Sequence, residues 1–475
     1  MNPRVLMIAS EAAPLAKTGG LADVVGALPA ALSSHGIEAA IVLPRYGSIS
    51  LDGAYRIWER LEVHLGSNTI FCDVWLRERG GVRFYLIDCP WLFDRPGLYS
   101  AHGHDYGDNH LRFAAFSSAA LGVQRYLYSA DILHLHDWQA ALVAPYVRTR
   151  FNLDPSFRHA KIVFTIHNLE HQGRFGAQVF GDLGLDSWLL QPANLEFHGD
   201  VNFMKGGVVF SDAITTVSPR YAQEIQTAEF GYGLDGLLRA NTGRLHGILN
   251  GVDYGEWNPE TDPHLAAHYS AADMDGKRTC KQDLLNEMHL PGDALDRPLI
   301  GIVSRFARQK GFDLFSQIAD ELLAQEEVML AFVGSGERRY EDFFRHLIDA
   351  YPGKVAGWFG YNERLAHKIE AGSDIFLMPS LFEPCGLNQM YSLRYGTLPV
   401  VRATGGLDDT VDAETGFKFW GYDPRDLLKA IQYALAEYRE PEIWRRRTKT
   451  AMSRDYSWAA SAGRYAELYR QLLGR

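Results

Sequence analysis

The sequence predicts an α/β protein built from two doubly wound parallel sheets facing each other across a cleft. Three observations carry that expectation. Short apolar runs recur along the chain, separated by helix-length amphipathic stretches, as parallel strands buried on both faces by crossover helices require. The runs fall into two sets, before and after a polar, turn-rich stretch at residues 251–277. The 475 residues are about three times the ~150 of a single-core domain.

The first set of runs lies at residues 5–9, 39–43, 82–87, 132–135, 162–166 and 213–217, and the second at 299–303, 328–333, 354–359, 375–378 and 398–401. Residues 1–250 are therefore expected to form one domain and 251–455 another, with 251–277 as a linker or hinge. A closing helix at 456–475 could pack on either unit, and so could return to the N-terminal one. No repeat of fixed period and no low-complexity tract is present.

Composition narrows the class. Hydrophobic residues make up 47% and charged residues 22%, with Gly 45 and Pro 20, which excludes a disordered, collagen-like or coiled-coil chain. Lys+Arg 47 against Asp+Glu 58 leaves a net charge of −11, with no basic block, so neither nucleic acid nor an anionic membrane is an expected partner. Any anionic ligand must be held locally. Cys72, Cys89, Cys280 and Cys385 include no C-x-x-C pair and suit a reducing, cytoplasmic location. The short apolar run at the N-terminus reads as a first strand, too brief for a secretory leader or a membrane span.

Ligands of doubly wound sheets sit beyond the carboxyl ends of the strands. Here those ends are polar: Ser10-Glu11, His136-Asp137-Trp138, His167-Asn168, Ser218, Asn250-Gly251, Arg305, Gly334-Ser335-Gly336-Glu337 and Thr404-Gly405-Gly406. After the first strand, Lys17-Thr18-Gly19-Gly20 precedes a helix. Glycines let backbone amides approach an anion at the positive helix end, and Lys17 adds a charge there. The loop matches neither a dinucleotide fingerprint nor a P-loop, and a tight turn with a solvated lysine fits it as well.

In the second half, Arg305 follows a strand and Lys310 stands five residues later. A planar fork and a compact charge together suit a diphosphate. Glu383, in Glu383-Pro384-Cys385-Gly386-Leu387-Asn388, can bind sugar hydroxyls or face a developing cation near those charges. Cys385, without a paired histidine, reads as a buried, inert thiol. Other candidates carry less. Asp273-Met274-Asp275 has D-x-D spacing but reads as a solvated turn or helix cap. His102, His104, Asp105, Asp108 and His110 could ligate a metal, yet fit a polar loop better. Of His134 and His136 on one strand, one is expected to face the core, while His167 faces the proposed cleft.

Taken together, the segments KTGGLADVVGALP (17–29), HDWQAAL (136–142), FTIHNLEHQG (164–173), ILNGVDYGEWNP (248–259), SRFARQKGFDL (304–314), EPCGLNQMYSLRYGTLPVVRATGGLDDTV (383–411) and YSW (456–458) strongly resemble the bacterial glycogen synthase and starch synthase family. The resemblance implies two Rossmann-like domains of the GT-B type. It implies a retaining glycosyltransferase that extends α-1,4-glucans from ADP-glucose, with no cofactor and no metal ion.

On matching positions, Lys17 and the amides of Gly19 and Gly20 would meet the diphosphate, and Arg305 and Lys310 would neutralise it as it leaves. Glu383 would hold the sugar hydroxyls. His167, in the motif continuing to Asn168, would present its backbone carbonyl to the anomeric carbon. Asp23, Tyr99 and Asp137 match positions around glucose and acceptor, and Asn250 matches the position before the interdomain hinge. Cys385, Gly386, Leu387, Asn388, Thr404, Gly405 and Gly406 complete the implied substrate-binding set. Asn388 stands where threonine is usual, although an asparagine can still donate to a phosphate. Asp408 stands where a neutral or basic residue is commoner, and Tyr391 replaces the second glutamate of the E-x₇-E pattern, as in this family.

The chemistry fits. Cleaving a sugar–phosphate bond makes an oxocarbenium-like centre beside a leaving diphosphate, so cations belong on the phosphates and oxygen dipoles on the sugar. Same-face attack within an ion pair is favoured, with a covalent intermediate left open. A dinucleotide oxidoreductase lacks its fingerprint here, and a periplasmic sugar-binding protein needs a leader and no such cations. A pyridoxal phosphate-dependent phosphorylase shares the architecture and would betray itself by absorbance.

Overall fold

The computed structural model describes residues 2–101 and 103–474, and the chain divides into two units. The first holds the chain as far as Val217, Ala222–Gly251 and the segment from Trp458. The second holds Ser218–Tyr221 and Val252–Ser457. The helix Trp458–Leu473 packs in the first unit against the helix Gly20–Ser33. No helix among the described residues is long and apolar enough to cross a membrane.

The first unit is built on nine strands: β1 (Arg4–Ile8), β2 (Glu38–Pro44), β3 (Tyr55–Leu65), β4 (Asn68–Arg79), β5 (Val82–Asp88), β6 (Ile132–His136), β7 (Lys161–Ile166), β8 (Ala213–Thr216) and β9 (Leu245–Gly247). Their order is β9-β8-β7-β6-β1-β2-β5-β4-β3. All neighbours are parallel except β3 with β4 and β4 with β5. The chain winds outward from β1 in one direction and then, from β6, in the other. That reversal opens a crevice beyond the ends of β1 and β6.

In the second unit β10 (Leu299–Phe306), β11 (Met329–Gly336), β12 (Val355–Phe359), β13 (Ile375–Met378), β14 (Leu398–Arg402) and β15 (Phe417–Phe419) form a wholly parallel sheet. The order is β12-β11-β10-β13-β14-β15, so the winding reverses between β10 and β13. Every apolar run named above lies on a strand. Phe306 and Phe312, both buried, pack around Phe344 at ring distances of 4.6 and 5.4 Å and so anchor both sides of the loop carrying Lys310.

The stretch 251–277 is not a free linker. From Val252 onward it is folded into the second unit, and Trp257 stacks on His367 and Tyr391 at 3.7 and 4.0 Å. Asp262 is only 1% exposed and accepts hydrogen bonds from His367 Nδ1 at 2.8 Å and Tyr395 Oη at 2.6 Å. A stacked indole and a satisfied buried carboxylate fasten the segment despite its polar composition.

Candidate functional site

At the crevice of the first unit, β1 runs into Ser10 and Glu11, both buried. Glu11 is an acceptor hub. Its Oε1 takes the Thr18 hydroxyl at 2.6 Å and the Tyr99 hydroxyl at 2.5 Å, and its Oε2 takes the Thr18 amide. Ser10 Oγ also meets Tyr99 Oη at 2.7 Å. The loop after β1 is thereby clamped where the helix Gly20–Ser33 begins, and no side chain caps that helix. The Ala22 amide donates to the Gly19 carbonyl at 3.2 Å, which leaves the Gly20 and Leu21 amides for an outside acceptor. A Cβ on Gly19 would meet nothing within 4 Å, so the approach is open. Lys17 Nζ lies 2.6 Å from Asp23 Oδ1. Burial pushes the Asp23 carboxyl above its ordinary range, and the Lys17 ammonium opposes that shift.

Asp137, just beyond β6, holds a left-handed φ of 57°. Its Oδ1 accepts the His167 amide at 2.7 Å, and the Asn168 amide also bonds to it, so it fixes the turn at His167 and Asn168. Burial pushes this carboxyl up to about 7, against the pull of the two amides. His167 Nε2 meets His136 Nδ1 at 2.9 Å. Both His134 and His136 are fully buried, their rings 4.2 Å apart, because positions two apart on a strand share a face. Burial holds His134 and His167 down to about 3 and His136 well below its ordinary value, so all three are neutral. Asn250 is buried, and its Oδ1 has no partner among the described residues.

In the second unit a pocket of about 160 Å³ opens where the winding reverses, lined by Ser304 and Arg305 from β10 and by Lys310, Ser380, Glu383 and Asn388 among others. Lys310 Nζ lies 2.7 Å from Glu383 Oε2, which also accepts from Ser380 Oγ at 3.1 Å. The pair is shielded, with Glu383 6% exposed. Arg305 is exposed and has no carboxylate partner among the described residues. Asn388 Nδ2 donates to the Val303 carbonyl at 2.7 Å, so it braces the end of β10. Gly386 and Leu387 line the same pocket, and Cys385 is buried beside it.

The loop at 404–406 departs from the expected anion cradle. The Thr404 amide donates to Arg402 at 2.9 Å and the Gly406 amide to the Glu383 carbonyl at 3.1 Å, so both serve the fold. Asp408 is paired with Lys418 at 2.7 Å. Elsewhere, Asp273 accepts from the Asp275 amide at 3.1 Å at the start of the helix Asp275–Glu287. Asp108 is gripped by both terminal nitrogens of Arg95, and His110 lies 3.5 Å from Asp182; His102 is outside the described residues. The sequence places Glu11 among the polar strand ends without giving it a role, and the structure makes it the hub of the loop after β1.

Family models match both units: the starch synthase catalytic domain over residues 4–240 and glycosyl transferases group 1 over 291–451. A glycogen synthase of Koribacter versatilis is 47% identical, covering 98% of each chain. One of Bacillus cereus is 44% identical over 99% of each. Among solved structures, the catalytic domain of starch synthase IV from Arabidopsis thaliana, bound to ADP and acarbose, superposes with a TM-score of 0.92 at 35% identity, covering 100% of both chains. Sucrose-phosphate synthase from Thermosynechococcus elongatus, at 17% identity and a TM-score of 0.63, shares the GT-B fold. The chain belongs to the glycogen synthase and starch synthase family of glycosyltransferases.

Proposed function

We propose that the chain transfers glucose from ADP-glucose to the non-reducing end of an α-1,4-glucan such as glycogen, with retention and without a metal ion. The observation that carries this reading is the Arg305, Lys310 and Glu383 cluster around a small pocket at the winding reversal of the second sheet. The relatives named glycogen synthase and the ADP-bound starch synthase support the donor and acceptor.

In this reading Arg305 and Lys310 take the diphosphate. Departure of the leaving group builds negative charge on its oxygens, and two neighbouring cations stabilise that charge more as the bond stretches. Glu383, oriented by Lys310 and Ser380, accepts from the sugar hydroxyls. On the first unit, the acceptor side, Lys17 with Gly19 and Gly20 offers further donors, and Asp137 holds the His167 carbonyl toward the electron-poor anomeric carbon. Residues 1–250 and 251–455 thus act as acceptor and donor domains, in the cytoplasm.

The test is incubation with glycogen and either ADP-glucose or UDP-glucose, following nucleotide release. Release from ADP-glucose that depends on glycogen supports the reading. Release from neither donor overturns it, and release from UDP-glucose alone overturns the choice of base.

A further inference from the structure

One histidine lies apart from the residues assigned to the reaction. His367 is 1% exposed, and its Nε2 is buried with no hydrogen-bond partner among the described residues. Its Nδ1 faces Asp262 Oδ2 at 2.8 Å. The Asp262 carboxylate also takes the Tyr395 hydroxyl at 2.6 Å and the His264 amide at 2.9 Å. A carboxylate only accepts, so Nδ1 donates to it, and Nε2 is the ring nitrogen left over for a ligand. Trp257, stacked 3.7 Å from the imidazole, holds the ring plane. An unsatisfied ring nitrogen this deeply buried has a cost that a ligand would remove.

Two carboxylates converge on this imidazole. Glu363 opens the helix Glu363–Gly372 four residues before His367, so both lie on one helix face. Glu256 comes from the turn before Trp257. Ligand atoms of Glu256, Glu363 and His367 all lie within 4.8 Å of one another, and both glutamates are exposed enough to close that gap. Arg364 and Lys368 are each paired with Glu287, and Glu363 Oε2 accepts the Tyr361 hydroxyl at 3.1 Å.

We propose that Glu256, Glu363 and His367 form a site for a divalent transition-metal ion, with zinc as the best match. One imidazole, two carboxylates and a water complete a tetrahedral set, and Asp262 is the outer carboxylate that orients a metal-bound histidine. The site is structural: it would fasten the turn at Glu256 to the helix Glu363–Gly372, apart from Arg305, Lys310 and Glu383.

The probe is Zn²⁺ alone, titrated calorimetrically into the full chain after chelator treatment, with thermal melting and turnover followed in parallel. Expected are one strong equivalent, a raised melting temperature and an unchanged rate. In Glu256→Gln/Glu363→Gln, exposed positions that leave the core intact, zinc affinity should fall at least ~10-fold and the melting shift should vanish. No uptake by the wild type overturns the proposal, as does uptake that the double variant retains in full. Neither result bears on the proposed glucosyl transfer, which is read from the rate alone.

Discussion

A side-chain carbon placed on Gly405 would lie 1.9 Å from the carbonyl oxygen of Glu383, and Gly405 holds a φ of +45° that other residues rarely adopt. Two loops therefore touch backbone to backbone, and the position of Glu383 depends on the absence of a methyl group one loop away. Gly405→Ala is expected to cost about 2 kcal/mol in urea denaturation. Turnover should fall with it, as the loop bearing Glu383 is displaced.

Replacing the carboxylate itself separates position from chemistry. Glu383→Ala should retain fold and nucleotide binding yet lose most turnover, since a sugar-facing carboxylate matters chiefly as the transition state forms. Full activity in that variant would remove Glu383 from the mechanism.

Arg305→Ala and Lys310→Ala should each lower kcat/KM by ~10²-fold or more, by leaving charge on the departing diphosphate uncompensated. Steady-state kinetics with ADP-glucose checks this; two unaffected variants would place the phosphates elsewhere.

Glu11→Gln tests the clamp on the loop after β1. An amide nitrogen would then face donors from Thr18 and Tyr99, at a cost of about 1–3 kcal/mol in stability. The loop carrying Lys17 loosens, so KM for the donor should rise while the second unit's own melting is unaltered.

Asp137 makes stability depend on pH. Burial raises its folded-state value to about 7, above the ordinary aspartate value of 3.8, so between these limits the native state holds a proton that the unfolded chain has released. This contribution is complete below about pH 4 and is lost as pH rises through about 7. Relative to Asp137→Asn, the wild type should lose stability across that window and change little above it, as denaturation at a series of pH values would show.

In the proposed reading Arg305, Lys310 and Lys17 supply the cations for the phosphates, so turnover should be indifferent to a chelator. A rate abolished by chelation and restored by magnesium or manganese would replace that design with a metal-assisted one.

The parallel strands were legible because burial on both faces makes each a continuous apolar run. The hairpin of β3 and β4 was not. Its outer strand alternates exposed and buried residues over residues 60–65, a pattern that a search for continuous runs passes over. Arg305, Lys310 and Glu383 stood out as charged residues at strand ends, and the structure gathers them around one pocket. The role of Asn388 as a brace, and the spending of the Thr404 and Gly406 amides inside the fold, depend on which backbone atoms lie opposite, which no local pattern records. Residues 251–277 look like a linker because Asp262 finds His367 and Tyr395 more than a hundred positions away.

The return of the helix Trp458–Leu473 to the first unit bears on how the protein is made. Tyr469 meets His134 Nδ1 at 2.7 Å, and Ser461 donates to the Leu249 carbonyl at 2.6 Å, so the first unit is completed by a helix that is translated only after the whole of the second. During synthesis the second unit can close while the first still exposes the surface around His134. Deleting this helix alone would therefore damage the unit from which it is separated in sequence by the whole of the other.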